Sequence, residues 1–137
     1  MSSSLLREHP LNNEASHSQQ VREALGVALR AADSKGATEP VALDVAEHFG
    51  LADVFLVLTG SVERNVQAIS DEIEDEMNAA GIRTIRREGR ATGRWVLLDF
   101  GDIMVHIFHN EERDFYQLER LWQDCPVMEI ESLMTAQ

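Results

Sequence analysis

The run Val54-Phe55-Leu56-Val57-Leu58 constrains this chain more than any other stretch. It is apolar at every position, bounded by Asp53 and by Thr59-Gly60, and its length suits a strand. A strand that is apolar on both sides needs cover on both faces, so the domain must carry a sheet with other elements packed above and below it. The flanking sequence supplies them. From Ser18 the positions Val21, Ala24, Leu25, Ala28, Leu29 and Ala32 repeat with the helical period, and Gly36 provides a stop, which predicts a first amphipathic helix. Pro40 then opens Val41-Ala42-Leu43-Asp44-Val45, a first β-prone stretch. After the apolar strand, Gly60-Ser61 offers a turn and Ser61 an N-cap for a long helix with the stripe Val66, Ile69, Ile73, Met77 and Ala80, closed by Gly81.

Residues 82–86 read as a third strand, followed by an Arg- and Gly-containing loop to Gly93. Trp95–Asp99 and residues 103–108 are β-rich runs joined by Phe100-Gly101-Asp102, the spacing of a tight antiparallel hairpin. Asn110 can cap a last helix with Phe115, Leu118, Leu121 and Trp122 on its buried side, stopped by Pro126. The predicted order is α-β-β-α-β-β-β-α, an α/β fold with a mixed β-sheet flanked by helices. Residues 1–17 are polar and without period and read as a flexible tail, 18–125 as one domain, and 126–137 as a C-terminal tail.

Composition narrows the function classes. No apolar run approaches the roughly 20 residues of a bilayer span, and residues 1–20 lack a signal-peptide core, so the expectation is a soluble cytoplasmic protein with no membrane partner. The single cysteine, Cys125, excludes an internal disulfide within this chain and any Cys-based zinc spacing. A net charge of −12 repels phosphate backbones and favours a basic protein partner. The carboxylates Asp71, Glu72, Glu74, Asp75 and Glu76 read as a solvated helix face. Arg83, Arg86, Arg87, Arg90 and Arg94 could touch RNA or balance that acidic helix.

Chemistry is harder to find. Asp99-Phe100-Gly101 copies the magnesium-binding tripeptide of protein kinases, but none of the other kinase elements is present, and a turn with Gly101 at positive φ explains all three residues. Gly60-Ser61 followed by carboxylates on a later strand is the pattern of metal-dependent nucleotidyltransferases. Here Asp99 and Asp102 come far downstream and flank a turn, and Asp71 sits mid-helix, so that reading is kept only as the alternative. His106 and His109 lack the further ligands of a metal site. No metal or cofactor is expected, and the aromatic residues near the hairpin, if exposed beside Asp99, Asp102 and Glu112, suit docking of a basic protein.

Three segments, 52–61 (ADVFLVLTGS), 95–108 (WVLLDFGDIMVHIF) and 112–122 (ERDFYQLERLW), taken in this order and spacing, resemble the Iojap or ribosomal silencing factor S family. The resemblance spans about residues 20 to 125 and implies a nucleotidyltransferase-like fold without transferase activity. It further implies a non-enzymatic factor that binds large-subunit ribosomal protein fourteen, sterically blocks subunit joining and represses translation when nutrients are scarce, or alternatively assists large-subunit assembly without silencing. A minor ribosomal RNA contact and a homodimer stay open. Carried onto this sequence, the partner contacts it points to are Trp95, Leu98, Asp99, Phe100, Asp102 and His106, with Tyr116 in addition. Of these, Asp99, Phe100 and Asp102 are expected to be exposed at the hairpin tip, and Trp95 and Leu98 to lean toward the core.

Overall fold

A computed structural model describes residues 19–47, 50, 52–116 and 123–135, the side chains of 114–116 excepted. The expected tail at 1–17 and the helix positions Leu118, Leu121 and Trp122 lie outside the described residues, as do the side chains of Phe115 and Tyr116. A helix over 19–34 (α1) leads into β1 (Thr38–Asp44) and β2 (Val54–Gly60). Helix α2 (Glu63–Ala79) follows, then β3 (Arg86–Glu88), β4 (Trp95–Asp99), β5 (Ile103–His109), α3 (Asn110–Tyr116) and a short α4 (Glu131–Thr135).

The five strands form one mixed sheet in the order β1-β2-β5-β4-β3. β2 and β5 are parallel, from Val54 beside Ile103 to Gly60 beside His109, and the other neighbours are antiparallel. Every residue of β2 is buried, as the apolar run requires, and so is every residue of β5. Their two sides feed two cores. Leu56, Leu58, Val105 and Ile107 point to the face covered by α1 and α2, where they meet Leu25, Leu29, Ile69 and Ile73. Phe55, Val57, Met104 and Phe108 point to the opposite face. Each fully buried aliphatic side chain contributes roughly 1.5–3 kcal/mol of transfer free energy, so this pair of strands is the main site of burial.

Three local expectations are corrected. The third strand is Arg86–Glu88, not 82–86. Gly81 takes φ +87°, and the Gly81 and Ile82 amides donate to the Asn78 and Met77 carbonyls, so Ile82 turns back onto the end of α2 instead of entering the sheet. Ser61 is not the N-cap of α2; Val62 is, with no side-chain cap, while Ser61 donates its amide to Asn65 Oδ1 at 2.9 Å. Asn110 is already helical, and the cap of α3 is His109, whose Nδ1 accepts the Glu111 amide at 3.1 Å.

The C-terminal stretch, expected as a tail, is bonded to the domain. Asp44 donates its amide to the Pro126 carbonyl, and Met128 donates to Ala42. Leu133 and Met134 pack on the core, and Arg30 donates to the Leu133 carbonyl at 2.7 Å. These bonds satisfy part of the free edge of β1.

Two glycines make the backbone requirements testable. Gly89, at φ +85° between β3 and β4, faces the Trp95 carbonyl so closely that an added Cβ would collide with backbone, whereas Gly36, at φ +80°, has open space around it. Gly36→Ala should lose about 1–2 kcal/mol, the penalty of a left-handed alanine, and Gly89→Ala distinctly more, read as urea midpoints of the two variants beside the wild type.

Candidate protein-docking face

β4 is the strand on which the sheet opens to solvent. Its burial alternates, with Val96 and Leu98 under the helices and Trp95, Leu97 and Asp99 half-exposed on the other face. Antiparallel pairing sets Leu97 beside His106 on one side and Glu88 on the other, and Asp99 beside Met104 and Arg86. Glu88, Gly89, Trp95, Leu97 and His106 line a recess of about 290 Å³. Its walls are aromatic and aliphatic, its edge carries the Arg86–Glu88 pair at 3.5 Å with both side chains more than half exposed, and Asp99 lies farther along β4. Such a surface can take an apolar side chain and place a carboxylate beside a basic neighbour.

The recess is held rigid from below. Trp95 donates its indole N–H to His106 Nδ1 at 3.2 Å and tilts over Phe108 with centroids 4.8 Å apart. Phe55 meets the His106 ring edge-on at 5.0 Å. Because the indole can only donate, Nδ1 must be the acceptor nitrogen, which leaves the proton of the neutral ring on Nε2. Burial favours that neutral form and pulls the His106 imidazole down to about 4.

Of the residues expected at a single contact surface, the structure keeps Trp95, Asp99 and His106 together. Leu98 is 0% exposed among the helix-side core and presents no surface to a partner. Phe100, expected at the exposed tip, is 7% exposed and belongs to the same core, because the turn folds its ring under the sheet toward α1 and α2. Asp102 is exposed but lines a different groove. Asp99 does serve the turn as expected, its Oδ1 accepting the Gly101 amide at 2.8 Å with Gly101 at φ +92°. Tyr116 lies in α3, its side chain outside the described residues. Leu97 and Glu88 were missed, although the period of two that joins Trp95 to Asp99 passes through Leu97 and skips Leu98.

The arginines pair with acids. Arg87 reaches the buried Glu74 at 3.0 Å and Arg90 reaches Asp71 at 2.6 Å, an ion pair that holds the Asp71 carboxyl below its ordinary range. Arg94 gathers Glu63, Glu111 and Glu112 at 3.0, 3.0 and 2.8 Å, tying the start of α2 to the start of α3. Asp71 and Glu74 therefore belong to ion pairs across to the 83–94 stretch and are not part of a purely solvated helix face.

Gly60-Ser61 and the hairpin carboxylates lie at opposite ends of the sheet. Gly60 is level with His109, while the Asp102 backbone carbonyl accepts the Val54 amide at the other end of β2. Six strand residues separate these levels, about 20 Å at the usual rise, so the two features do not assemble a triphosphate-and-metal site. Among the described residues no group of His, Cys, Asp and Glu is arranged to hold a metal ion, and no helix is long and apolar enough to cross a membrane.

The architecture is that of a small α/β domain whose mixed sheet shows one half-open aromatic face. Residues 18–137 match the family described as ribosomal silencing factor during starvation. The chain is similar to the ribosomal silencing factor RsfS of Halalkalibacterium halodurans, 42% identical over 83% of this chain and 97% of that protein. It is likewise similar to RsfS of Bacillus subtilis, 41% identical over 80% and 93%. A crystal structure of protein CV0518 from Chromobacterium violaceum superposes with a TM-score of 0.72 at 31% identity, covering 74% of this chain and 84% of that one. This chain belongs to the ribosomal silencing factor family.

The buried histidine gives a pH prediction. Its folded value of about 4 lies below the ordinary 6.5, so between those values the unfolded chain takes up a proton that the folded chain excludes. The contribution is fully present above pH 6.5 and is lost as pH falls toward 4, on the order of 3 kcal/mol in all. In urea titrations across that window, His106→Asn, whose side-chain oxygen can still accept the indole N–H, should show a flatter decline in stability than the wild type. An equal slope would contradict the assignment.

Proposed function

We propose that this chain binds the large ribosomal subunit through ribosomal protein fourteen and, by occupying the surface where the small subunit docks, prevents joining and lowers translation under nutrient limitation. The observation that carries this reading is the half-open recess of Trp95, Leu97 and His106 beside Glu88 and Asp99, set in a chain of net charge −12. An apolar side chain entering the recess supplies the buried centre of an interface, and the carboxylates draw a basic ribosomal protein while repelling bare RNA. Arg86, Arg87, Arg90 and Arg94 are engaged with acids, which leaves RNA a minor role. The mechanism is steric and needs no chemical step, and its place is the cytoplasm, where ribosomes work.

Trp95, Asp99 and His106 are the contacts retained from the matched segments, with Leu97 and Glu88 added. Sucrose gradients of separated subunits, mixed with saturating protein, should show less joined ribosome. Leu97→Asp, on a half-exposed position, should weaken binding to the large subunit by about tenfold or more, equivalent to ~1.4 kcal/mol. Trp95→Ala should act in the same direction, with circular dichroism verifying the fold. Unchanged joining at saturation would refute the silencing reading, and unchanged affinity of Leu97→Asp would move the contact elsewhere.

A further inference from the structure

A second groove lies on the helix side of the sheet, at the end away from the Arg94 cluster. The first turns of α1, the end of α2 and the β4–β5 turn enclose about 400 Å³. Met77 and Phe100 lie in its floor, and Ala24, Val27 and Ile82 leave apolar surface within reach in its walls. Ile82 is there because the C-terminal turn of α2 folds it back onto Met77. The groove takes up Phe100 and Asp102, two of the hairpin residues that the docking face does not use.

Its electrostatics have one sign. Glu23 and Asp102 stand exposed on the rim, and no Lys or Arg is among its described lining residues. Ala80, at the C-cap of α2, also borders it, and the last turn of α2 contains Glu76 and no basic residue. The negative end of the helix dipole is thus left without a basic side chain in that turn, a position where a cation is favoured. The walls are helix surfaces and a turn whose Asp102 carbonyl already accepts the Asp53 and Val54 amides, and no strand edge borders the groove among its described lining residues. A partner strand would find no edge to pair with, so recognition must come from side chains. Ala24 and Val27, one helical turn apart, match the spacing with which a second helix inserts its own apolar residues.

We propose that this groove docks an amphipathic helix of a protein partner, one that seats leucine-sized side chains between α1 and α2 and sets lysine or arginine against Glu23 and the end of α2. The surface lies across the sheet from Trp95, Leu97 and His106, so the domain can hold this helix while the β4 face is occupied.

The test uses the full chain, isotopically labelled, titrated with a synthetic helix of leucine and lysine in a three-four repeat and with a counterpart carrying glutamate in place of lysine. The leucine–lysine helix should bind, shifting amides around Ala24, Ile82 and Phe100, and the glutamate version should not. Glu23→Arg, at an exposed position, and Ala24→Arg, which fills the groove, should each weaken binding by at least about tenfold, Glu23→Arg without altering the thermal melt and both without altering the affinity for the large ribosomal subunit. Four results would overturn the proposal: no binding, shifts confined to other surfaces, equal affinity of both variants and the wild type, or a homodimer in sedimentation that Ala24→Arg abolishes, which would make a second copy the occupant.

Discussion

β2 and β5 run side by side from Val54–Ile103 to Gly60–His109, and since both are buried along their whole length, each needs cover on two sides. A parallel pair cannot be closed by a tight turn. The chain between them therefore travels through α2, β3 and β4 before β5 can dock, and that excursion lays α2 on one face and extends the sheet on the other side of β5. β1 and the C-terminal stretch complete the opposite edge, where Pro126 and Met128 bond to Asp44 and Ala42. The half-open face follows from this arrangement, because β4 lies next to the edge of the sheet and, among the described residues, Trp95, Leu97 and Asp99 stay half-exposed on the side away from α1 and α2.

Charge is distributed in the same layout. Twelve basic residues against twenty-four acidic ones would leave a strongly repulsive surface if each charge stood alone. Instead the 83–94 stretch sits beside α2 and α3, where Arg87, Arg90 and Arg94 meet five carboxylates. Most of these pairs are solvent-exposed, and such pairs contribute little individually to stability. Their larger effect is positional. Arg94 fixes the starts of α2 and α3 relative to β4, and it takes up cationic groups that would otherwise be available to phosphate.

The β4 face and the α1–α2 groove share one design, an apolar depression bordered by carboxylates, yet they lie on opposite sides of the sheet. Asp99 and Asp102, three residues apart, serve different surfaces because the turn between them reverses the chain. Because they lie on opposite sides, the two surfaces do not overlap, and the two proposed partners would not compete for space on the domain. The rigid support beneath Trp95, through His106 and Phe108, means that the recess is formed before any partner arrives, which lessens the ordering penalty of binding.

Much of this protein was legible in its sequence. The continuous apolar run at 54–58 required a sheet covered on both faces, the helical stripes placed α1 and α2, and the Trp95–Asp99 and 103–108 runs defined the hairpin. These patterns are local, set by backbone geometry that repeats every two or 3.6 residues. The combination of three segments pointed to the family. The tertiary structure alone decided which side of each strand meets the helices. It buried Leu98 and Phe100, left Leu97 half-exposed, bound the C-terminal stretch to β1 and brought Glu88 beside Leu97. It also kept Gly60-Ser61 far from Asp99 and Asp102. The physical reason is that a strand's two faces are equivalent in sequence until α1 and α2, brought from elsewhere in the chain, pack on one of them.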